Sequence, residues 1–441
     1  AEMFLNCTSL ESIILPKDLK VIGEKAFSNC QSLKDINLPN TLEVVQKEAF
    51  LNCQSLKDLI IAKNTKNLNI GEFAFSGCNK LENIILLENA RIENIYEGAF
   101  KDLENLQKIT LSDNAKIINI GNSAFSNCAN LRKIDELNGL KTIDRASFSD
   151  CINLENITFS YTLLGFGKYA FFNCQSLKDI TLPASLKTLD SSSFYGCISL
   201  ESISVYGPIN KICEFSFSGC TNLKTVILPN TVTIIESNAF SNCISLETIT
   251  LPDSVTFVEE EIFLNCENLK NVKLSNKLSN ISEKMFANCK NSFVEIILPD
   301  SVTLIEKGAF LSCSALKKII LPKNIKTLPE NIFAGCTSLE EVILPVGLIE
   351  IPSNAFSMCK SLKKIDIPSS VKKIKDSSFS SCTSLEEVIL PSTLEDLDDN
   401  AFKNCTSITN ITLPNNIKNF GNSIFEGCIN LREINLSSNM K

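Results

Sequence analysis

The sequence predicts a repeat solenoid, in which short turns of chain stack on one another instead of closing around a compact core. A phenylalanine recurs at nearly constant spacing along all 441 residues, and the residues between carry the same apolar pattern each time. No linker or low-complexity stretch divides the array. Each unit is too short to bury its own apolar residues, so neighbouring units must share one continuous core.

The repeating unit is 23 residues long, with three consecutive 25-residue units starting at Phe50, Phe75 and Phe100 and one 24-residue unit starting at Phe286. Stacked strands lie about 4.8 Å apart, so about nineteen turns make a rod or arc roughly 90 Å long. We therefore predict a single solenoid over residues 1–441. The repeated residues are Phe4, Phe27, Phe50, Phe75, Phe100, Phe125, Phe148, Phe171, Phe194, Phe217, Phe240, Phe263, Phe286, Phe310, Phe333, Phe356, Phe379, Phe402 and Phe425.

Each turn is predicted to contain one short parallel β-strand. In the segment LKDINLP, the alternation across Ile36, Asn37 and Leu38 has the period of a strand. Stacking pairs such strands in parallel, with Ile36 and Leu38 inward and Asn37 outward. A proline follows the strand in eleven units and ends the ladder because it has no N–H to donate. Segments such as GEKAFSNC are predicted to form loops or short helical turns on the opposite wall.

The repeat resembles the BspA-like, or Treponema pallidum-type, class of leucine-rich repeats. The shared features are an L-x-x-I-x-L core followed by proline and an A-F-x-x-C segment that closes each turn. The resemblance covers the whole chain. It implies a leucine-rich-repeat arc and a binding surface rather than a reaction, since members of that family are often cell-surface proteins that bind host matrix proteins or other cells.

The ends of the chain bear on where the protein functions. Ala1 lies three residues before a repeat phenylalanine, and Lys441 lies inside a nineteenth unit, so neither end shows a cap. Solenoids need polar terminal caps, which predicts that the array belongs to a longer chain. We expect a cell-surface or secreted location, although the sequence contains no signal peptide, membrane span or anchor motif. A cytoplasmic location is the alternative, because unpaired cysteines suit a reducing compartment.

Cysteine occupies a fixed place in the repeat. Eighteen of the nineteen cysteines follow a repeat phenylalanine by three positions, Leu103 replaces the cysteine in one unit, and Cys213 lies outside the register. A leucine at the equivalent site indicates an apolar pocket, so we predict buried free thiols. The chain has no C-x-x-C pair and no histidine, which argues against mixed Cys/His zinc sites. No cofactor is expected.

Catalysis and nucleic-acid binding find little support in the composition. The usual neutral-pH general base is missing because the chain has no histidine, and no glycine-rich phosphate loop or G-x-S-x-G motif is present. The formal net charge is −8. A basic groove that follows phosphates is therefore not expected. We predict a protein that is not an enzyme, does not bind nucleic acid and does not insert directly into a membrane.

The outward position at the centre of each strand contains the candidate binding residues. Ile297, Ile320 and Ile343 occupy it in three consecutive turns, and Ile389 follows two turns later. An exposed apolar row of this kind can mark a partner site. The alternative is that isoleucine is used there for its β-propensity alone.

Charges alternate between lysine and glutamate two positions before the inward isoleucine of the strand. Opposite charges then lie side by side in consecutive turns, and a one-turn slip would bring like charges together. We interpret this row first as control of register. Its members are Glu155, Lys178, Glu201, Lys224, Glu247 and Lys270, then Lys317, Glu340, Lys363 and Glu386.

The three longer units place Asn64, Asn89 and Asn114 at equivalent sites, where the additional residues must widen one loop.

The leading hypothesis for the function is a protein-binding or adhesion module that engages a protein partner, such as a host or cell-surface protein. The alternative is a structural protein, either a filament subunit that self-associates end to end through open solenoid ends or an intracellular scaffold.

Overall fold

A computed structural model describes residues 1–436. The packing of the chain divides it into two units, Ala1–Thr231 and Val232–Lys441. Both consist of short parallel strands joined by turns, and residues 1–436 contain no helix. The predicted solenoid of stacked parallel turns is confirmed, with loops rather than helical turns opposite the strands. That residues 1–441 form a single solenoid stays a prediction.

The first unit contains seventeen strands: β1 (Val21–Ile22), β2 (Asp35–Leu38), β3 (Val44–Val45), β4 (Asp58–Ile61), β5 (Leu68–Ile70), β6 (Asn83–Leu86), β7 (Arg91–Ile95), β8 (Lys108–Leu111), β9 (Lys116–Ile120), β10 (Lys133–Ile134), β11 (Thr142–Ile143), β12 (Gly165–Phe166), β13 (Asp179–Leu182), β14 (Thr188–Leu189), β15 (Ser202–Val205), β16 (Lys211–Ile212) and β17 (Thr225–Ile227).

The described part of the second unit contains β18 (Ile234–Ile235), β19 (Thr248–Thr250), β20 (Phe257–Val258), β21 (Asn271–Lys273), β22 (Asn280–Ile281), β23 (Glu295–Ile296), β24 (Leu304–Ile305), β25 (Lys318–Ile320), β26 (Glu341–Ile343), β27 (Glu350–Ile351), β28 (Lys364–Asp366), β29 (Lys373–Ile374), β30 (Glu387–Ile389), β31 (Asp396–Leu397), β32 (Asn410–Leu413), β33 (Asn419–Phe420) and β34 (Glu433–Leu436).

Most turns contribute two strands, one to each of two parallel ladders. The main ladder is the predicted one, and in the first unit it joins β2, β4, β6, β8 and β10 in sequence and then β13, β15 and β17. The second ladder joins β1, β3, β5, β7, β9, β11, β12 and β14. The second ladder was not predicted from the sequence, because most of its strands are only two residues long and cannot show an alternating pattern.

The repeat phenylalanines form a column of stacked rings through the core of each unit. Ring centroids in the first unit are 4.9 to 5.7 Å apart, and the ring planes are within 12° of parallel. In the second unit the separations are 5.2 to 5.8 Å. These separations are close to the spacing of neighbouring strands, so each ring packs on the ring of the next turn.

The cysteines link each turn to the one before it. The Phe27 carbonyl accepts a hydrogen bond from the backbone N–H of Cys30 at 3.1 Å and another from the Cys53 thiol, also at 3.1 Å. Sixteen such thiol bonds have Sγ to oxygen distances between 3.0 and 3.4 Å. The thiols are free, and every cysteine except Cys7 is buried. A small side chain with one weak donor fits this place, as leucine does at Leu103 without the hydrogen bond.

The backbone conformation explains why asparagine or glycine often precedes the cysteine of the repeat. All nineteen residues at this position have positive φ, between 58° and 77°. Glycine and asparagine tolerate this left-handed conformation better than other residues. Where asparagines follow one another they also form ladders, as when Asn265 Nδ2 donates to Asn242 Oδ1 at 2.8 Å and Asn288 Nδ2 to Asn265 Oδ1 at 2.9 Å.

The additional residues of the three longer units are accommodated in a wider loop, as expected. Asn64, Asn89 and Asn114 have φ values of 63°, 57° and 56°, so the loop also uses the left-handed conformation. Asn89 Nδ2 donates to Asn64 Oδ1 at 3.2 Å. Downstream, β7 and β9 lengthen to five residues each, which makes the second ladder broader at this level.

Both ladders of the second unit are interrupted near the 24-residue unit, the main ladder across its additional residue and the second ladder before it; the main ladder also ends between β26 and β28 and between β30 and β32. The additional residue lies between Cys289 and Phe293, where other units have two residues between the cysteine and the next apolar residue. In the main ladder β21 does not pair with β23, and in the second ladder β20 does not pair with β22. The rings of Phe263 and Phe286 remain stacked at 5.7 Å. The interruption therefore affects the strands and leaves the phenylalanine column continuous.

The buried thiols predict how stability depends on pH. Burial raises the pKa of Cys128, Cys197 and Cys382 to about 12. Because these pKa values exceed those of the unfolded chain, their contribution to stability is complete below about pH 8.5 and is lost as the pH rises towards the folded pKa. Each such thiol lowers the free energy of unfolding by about 1.4 kcal/mol per pH unit in that window. Urea unfolding between about pH 8 and pH 9.5, below the titration of tyrosine and lysine, measures the effect.

The ultraviolet absorbance of the thiolate is the control for this prediction. At about pH 9.5 the folded protein should show little thiolate, and the same protein in guanidinium chloride should show most of its thiols ionised, because the unfolded pKa is about 8.5. Equal thiolate in the two states, or a pH-independent urea midpoint, would contradict the account.

Candidate functional site

The candidate residues lie on the outward face of the main ladder in the second unit. Ile320 of β25 and Ile343 of β26 are register partners on paired strands. Ile297 directly follows β23, which pairs with β25. The exposed fractions are 81% for Ile297, 49% for Ile320 and 44% for Ile343, so these large apolar side chains remain open to solvent. We call these three residues the isoleucine stripe.

Ile389 does not join the stripe. It is 58% exposed at the equivalent position of β30, where its register partner is Asp366 of β28. Asp366 occupies the turn between those of Ile343 and Ile389. The structure therefore brings Ile297, Ile320 and Ile343 together, whereas Asp366 separates Ile389 from them.

The isoleucine stripe lines a depression of about 460 Å³. Pro322, Pro345 and Val346 form the side next to the strand ends. Val346 is 84% exposed and enlarges the apolar surface. Val346 was not predicted from the sequence because it lies after the strand, at a position where most other units carry polar residues, so no periodic pattern marks it.

Ion pairs border the stripe and leave that edge locally neutral. Lys318 Nζ lies 3.0 Å from a carboxylate oxygen of Glu341, and Lys317 Nζ lies 3.5 Å from one of Glu340. Both pairs connect consecutive turns, and the pair of Lys317 and Glu340 belongs to the row of alternating charges predicted from the sequence. Exposed pairs of this kind contribute at most about 1 kcal/mol, so their main effect here is on register and on local charge.

The same pairing occurs in the first unit. Lys224 Nζ lies 2.9 Å from Glu201, and this hydrogen bond lowers the pKa of the Glu201 carboxyl. Consecutive turns thus place opposite charges side by side in both units.

Residues 1–436 contain neither a metal-binding cluster nor a membrane-spanning helix. No cluster of three or more Cys, Asp or Glu side chains in this part of the chain is arranged to hold a metal ion. Within the same residues, no helix has the length and apolar character needed to cross a lipid bilayer.

The parallel ladders, the repeat core and the exposed strand face define a leucine-rich-repeat solenoid. The model of the BspA type leucine-rich repeat region matches six overlapping segments, residues 1–132, 118–247, 189–316, 234–363, 290–407 and 349–441. Because these segments span the chain, the protein belongs to this family. Members of the family typically bind proteins.

Comparison with solved structures gives several matches, and the first of those named here shares the fold. A leucine-rich repeat protein from Bacteroides ovatus is 27% identical, covers 87% of this chain and 88% of its own, and gives a TM-score of 0.60. A leucine rich cell surface protein from Faecalibacterium prausnitzii is 22% identical, with coverage of 76% and 87% and a TM-score of 0.40. The T. pallidum leucine-rich repeat protein is 24% identical, with coverage of 47% and 78% and a TM-score of 0.30. No curated protein matches the chain.

Proposed function

We propose that the chain is a non-catalytic protein-binding module and that the isoleucine stripe is its contact surface. The observation that supports this is the grouping of three exposed isoleucines on adjacent turns, inside a depression that Val346 extends. Contiguous exposed apolar surface of this kind is typical of interaction sites. Single exposed isoleucines, such as Ile14 and Ile227 in the first unit, need no such explanation.

The chemistry of the surface selects the class of partner. Beside the stripe, Lys317 and Lys318 already pair with Glu340 and Glu341, so a partner gains little by pairing with these four residues. Binding then depends on covering Ile297, Ile320 and Ile343 with apolar side chains. Burying apolar surface contributes about 25 cal/mol per Å², which favours a protein partner with an exposed aliphatic or aromatic side chain.

Placing lysine in the stripe tests the proposal. The double variant Ile320→Lys, Ile343→Lys should lose partner binding by about tenfold or more, because two ammonium groups replace the apolar contact and resist desolvation. The measurement uses immobilised full-length protein and a mixture of surface and extracellular proteins, with quantitative mass spectrometry of what is retained.

The matched control is Ile14→Lys, Ile227→Lys. These residues occupy the same position of the repeat in the first unit and are 96% and 53% exposed, so the net charge changes equally. Circular dichroism confirms that both variants fold. Proteins retained by the wild type and the control but lost by the stripe variant support the proposal. Equal retention by all three proteins, or no specific retention by the wild type, would overturn it.

We further propose that the protein acts at the cell surface or after secretion. Family membership supports this location, whereas the reduced thiols are compatible with either side of the membrane because burial protects them.

Brief protease treatment of intact cells tests the location. Peptides of this chain should be released while those of an intracellular control protein are not, because a surface protein is within reach of the protease. Release of peptides from this chain only after lysis would contradict the proposal and favour an intracellular scaffold.

A further inference from the structure

The second ladder is interrupted between β20 and β22 and the main ladder between β21 and β23, and a side chain fills only the first of these gaps. In the second ladder, Asn280 Nδ2 donates to the carbonyl of Val258 at 2.9 Å, and Asn280 Oδ1 accepts from the N–H of the same residue at 3.4 Å. Asn280 is 3% exposed. Its carboxamide replaces the backbone hydrogen bonds that the missing strand pairing would have supplied.

In the main ladder, no side chain replaces the missing pairing between β21 and β23. Successive residues of a parallel strand direct their backbone groups alternately to the two neighbouring strands. Val272 of β21 and Ile297 after β23 direct theirs towards the interruption, and β21 and β23 do not pair. Their N–H groups thus lack the ladder partners that equivalent residues have in β25 and β26. Donors left without a partner are available to a ligand that accepts hydrogen bonds.

A depression of about 410 Å³ opens on the strand face at this place. We call it the strand cup. Its polar lining includes the hydroxyls of Thr248 and Thr250, the amide of Asn271, the ammonium groups of Lys270 and Lys273, and the carboxylate of Glu295. Glu295 and Ile297 line both the cup and the depression of the isoleucine stripe, so the two surfaces are continuous.

The cup carries an excess of positive charge. Lys270 and Lys273 form no ion pair with any residue in 1–436, unlike the lysines that border the stripe. Glu295 is the one carboxylate in its lining. Asp253 lies nearby but accepts a hydrogen bond from the backbone N–H of Asn276 at 3.0 Å. The lining of the cup therefore contains two lysines and two threonines, which can donate hydrogen bonds, and only one carboxylate residue.

We infer that the partner is a protein segment that places an acidic side chain in the strand cup and aliphatic side chains on the isoleucine stripe. This inference rests on the proposed function and adds the partner's chemistry. A carboxylate only accepts hydrogen bonds, which suits the donors of the cup, and its charge complements Lys270 and Lys273. The ion pairs that border the stripe are neutral, so the charge of the partner is selected at the strand cup.

A random peptide library displayed on phage and selected against the full-length protein tests the inference. Enriched peptides should combine Asp or Glu with neighbouring aliphatic residues. Synthetic versions should bind Lys273→Glu about tenfold more weakly, because like charges then meet in the cup. Binding should also weaken as the salt concentration rises. The control Lys360→Glu changes the net charge equally at an exposed residue outside the cup and should bind as the wild type does.

The outcomes separate this inference from the proposed function. Peptides that lose binding to both Ile320→Lys and Lys273→Glu support the acidic partner. Peptides that are sensitive to Ile320→Lys but indifferent to Lys273→Glu, or that lack acidic residues, overturn the acidic partner and leave the stripe as the binding surface. Enrichment of peptides insensitive to both changes, or no enrichment, overturns both.

Discussion

The contact between the phenylalanine column and the cysteines of the next turn is the constraint on which the structure depends. Each phenylalanine ring packs on its neighbour about 5 Å away, and its carbonyl accepts both a backbone N–H of its own turn and a thiol of the following turn. Each turn therefore packs a ring against its neighbour and donates a thiol hydrogen bond to it. This explains why the phenylalanine recurs without exception while the outward residues vary.

Function becomes possible where the stacking constraint is absent. The outward strand positions contact solvent, so their residues are free to change without disturbing the column. At the isoleucine stripe, the outward residues are all isoleucine. At the strand cup, the backbone itself differs, since the additional residue of the 24-residue unit lies between β21 and β23, which do not pair. The two features lie side by side because Ile297 belongs to the same unit as the additional residue.

The sequence predicted the parts of the structure that repeat. The period, the inward alternation at Ile36 and Leu38, and the thiol positions follow from local pattern, and the structure has them where expected. The short second ladder could not be predicted, because two-residue strands such as β3 exist only by virtue of the neighbouring turn. A second left-handed residue in each turn, two before the phenylalanine, was also missed, since residues as different as Lys25 and Tyr169 occupy it.

The candidate site was predicted in part, because only those of its features that repeat leave a pattern in the sequence. Ile297, Ile320 and Ile343 were found because they repeat, and Ile389 was grouped with them although Asp366 separates it from Ile343. Asn280 could not be identified in advance, because its role depends on the gap between β20 and β22, and the 23-residue spacing of those strands is the same as that of paired strands. Features that interrupt a repeat leave no period in the sequence.

The measurement that tests the account most directly is native-state hydrogen exchange of the main ladder, resolved to single amides. The account predicts fast exchange at Val272 and Ile297, because the interruption leaves their N–H groups without ladder partners. It predicts protection at Ile319 and Ile320, whose strand β25 pairs on both sides. Equal protection at all four amides would show that the ladder is continuous through the 24-residue unit, and the strand cup would then have no structural basis.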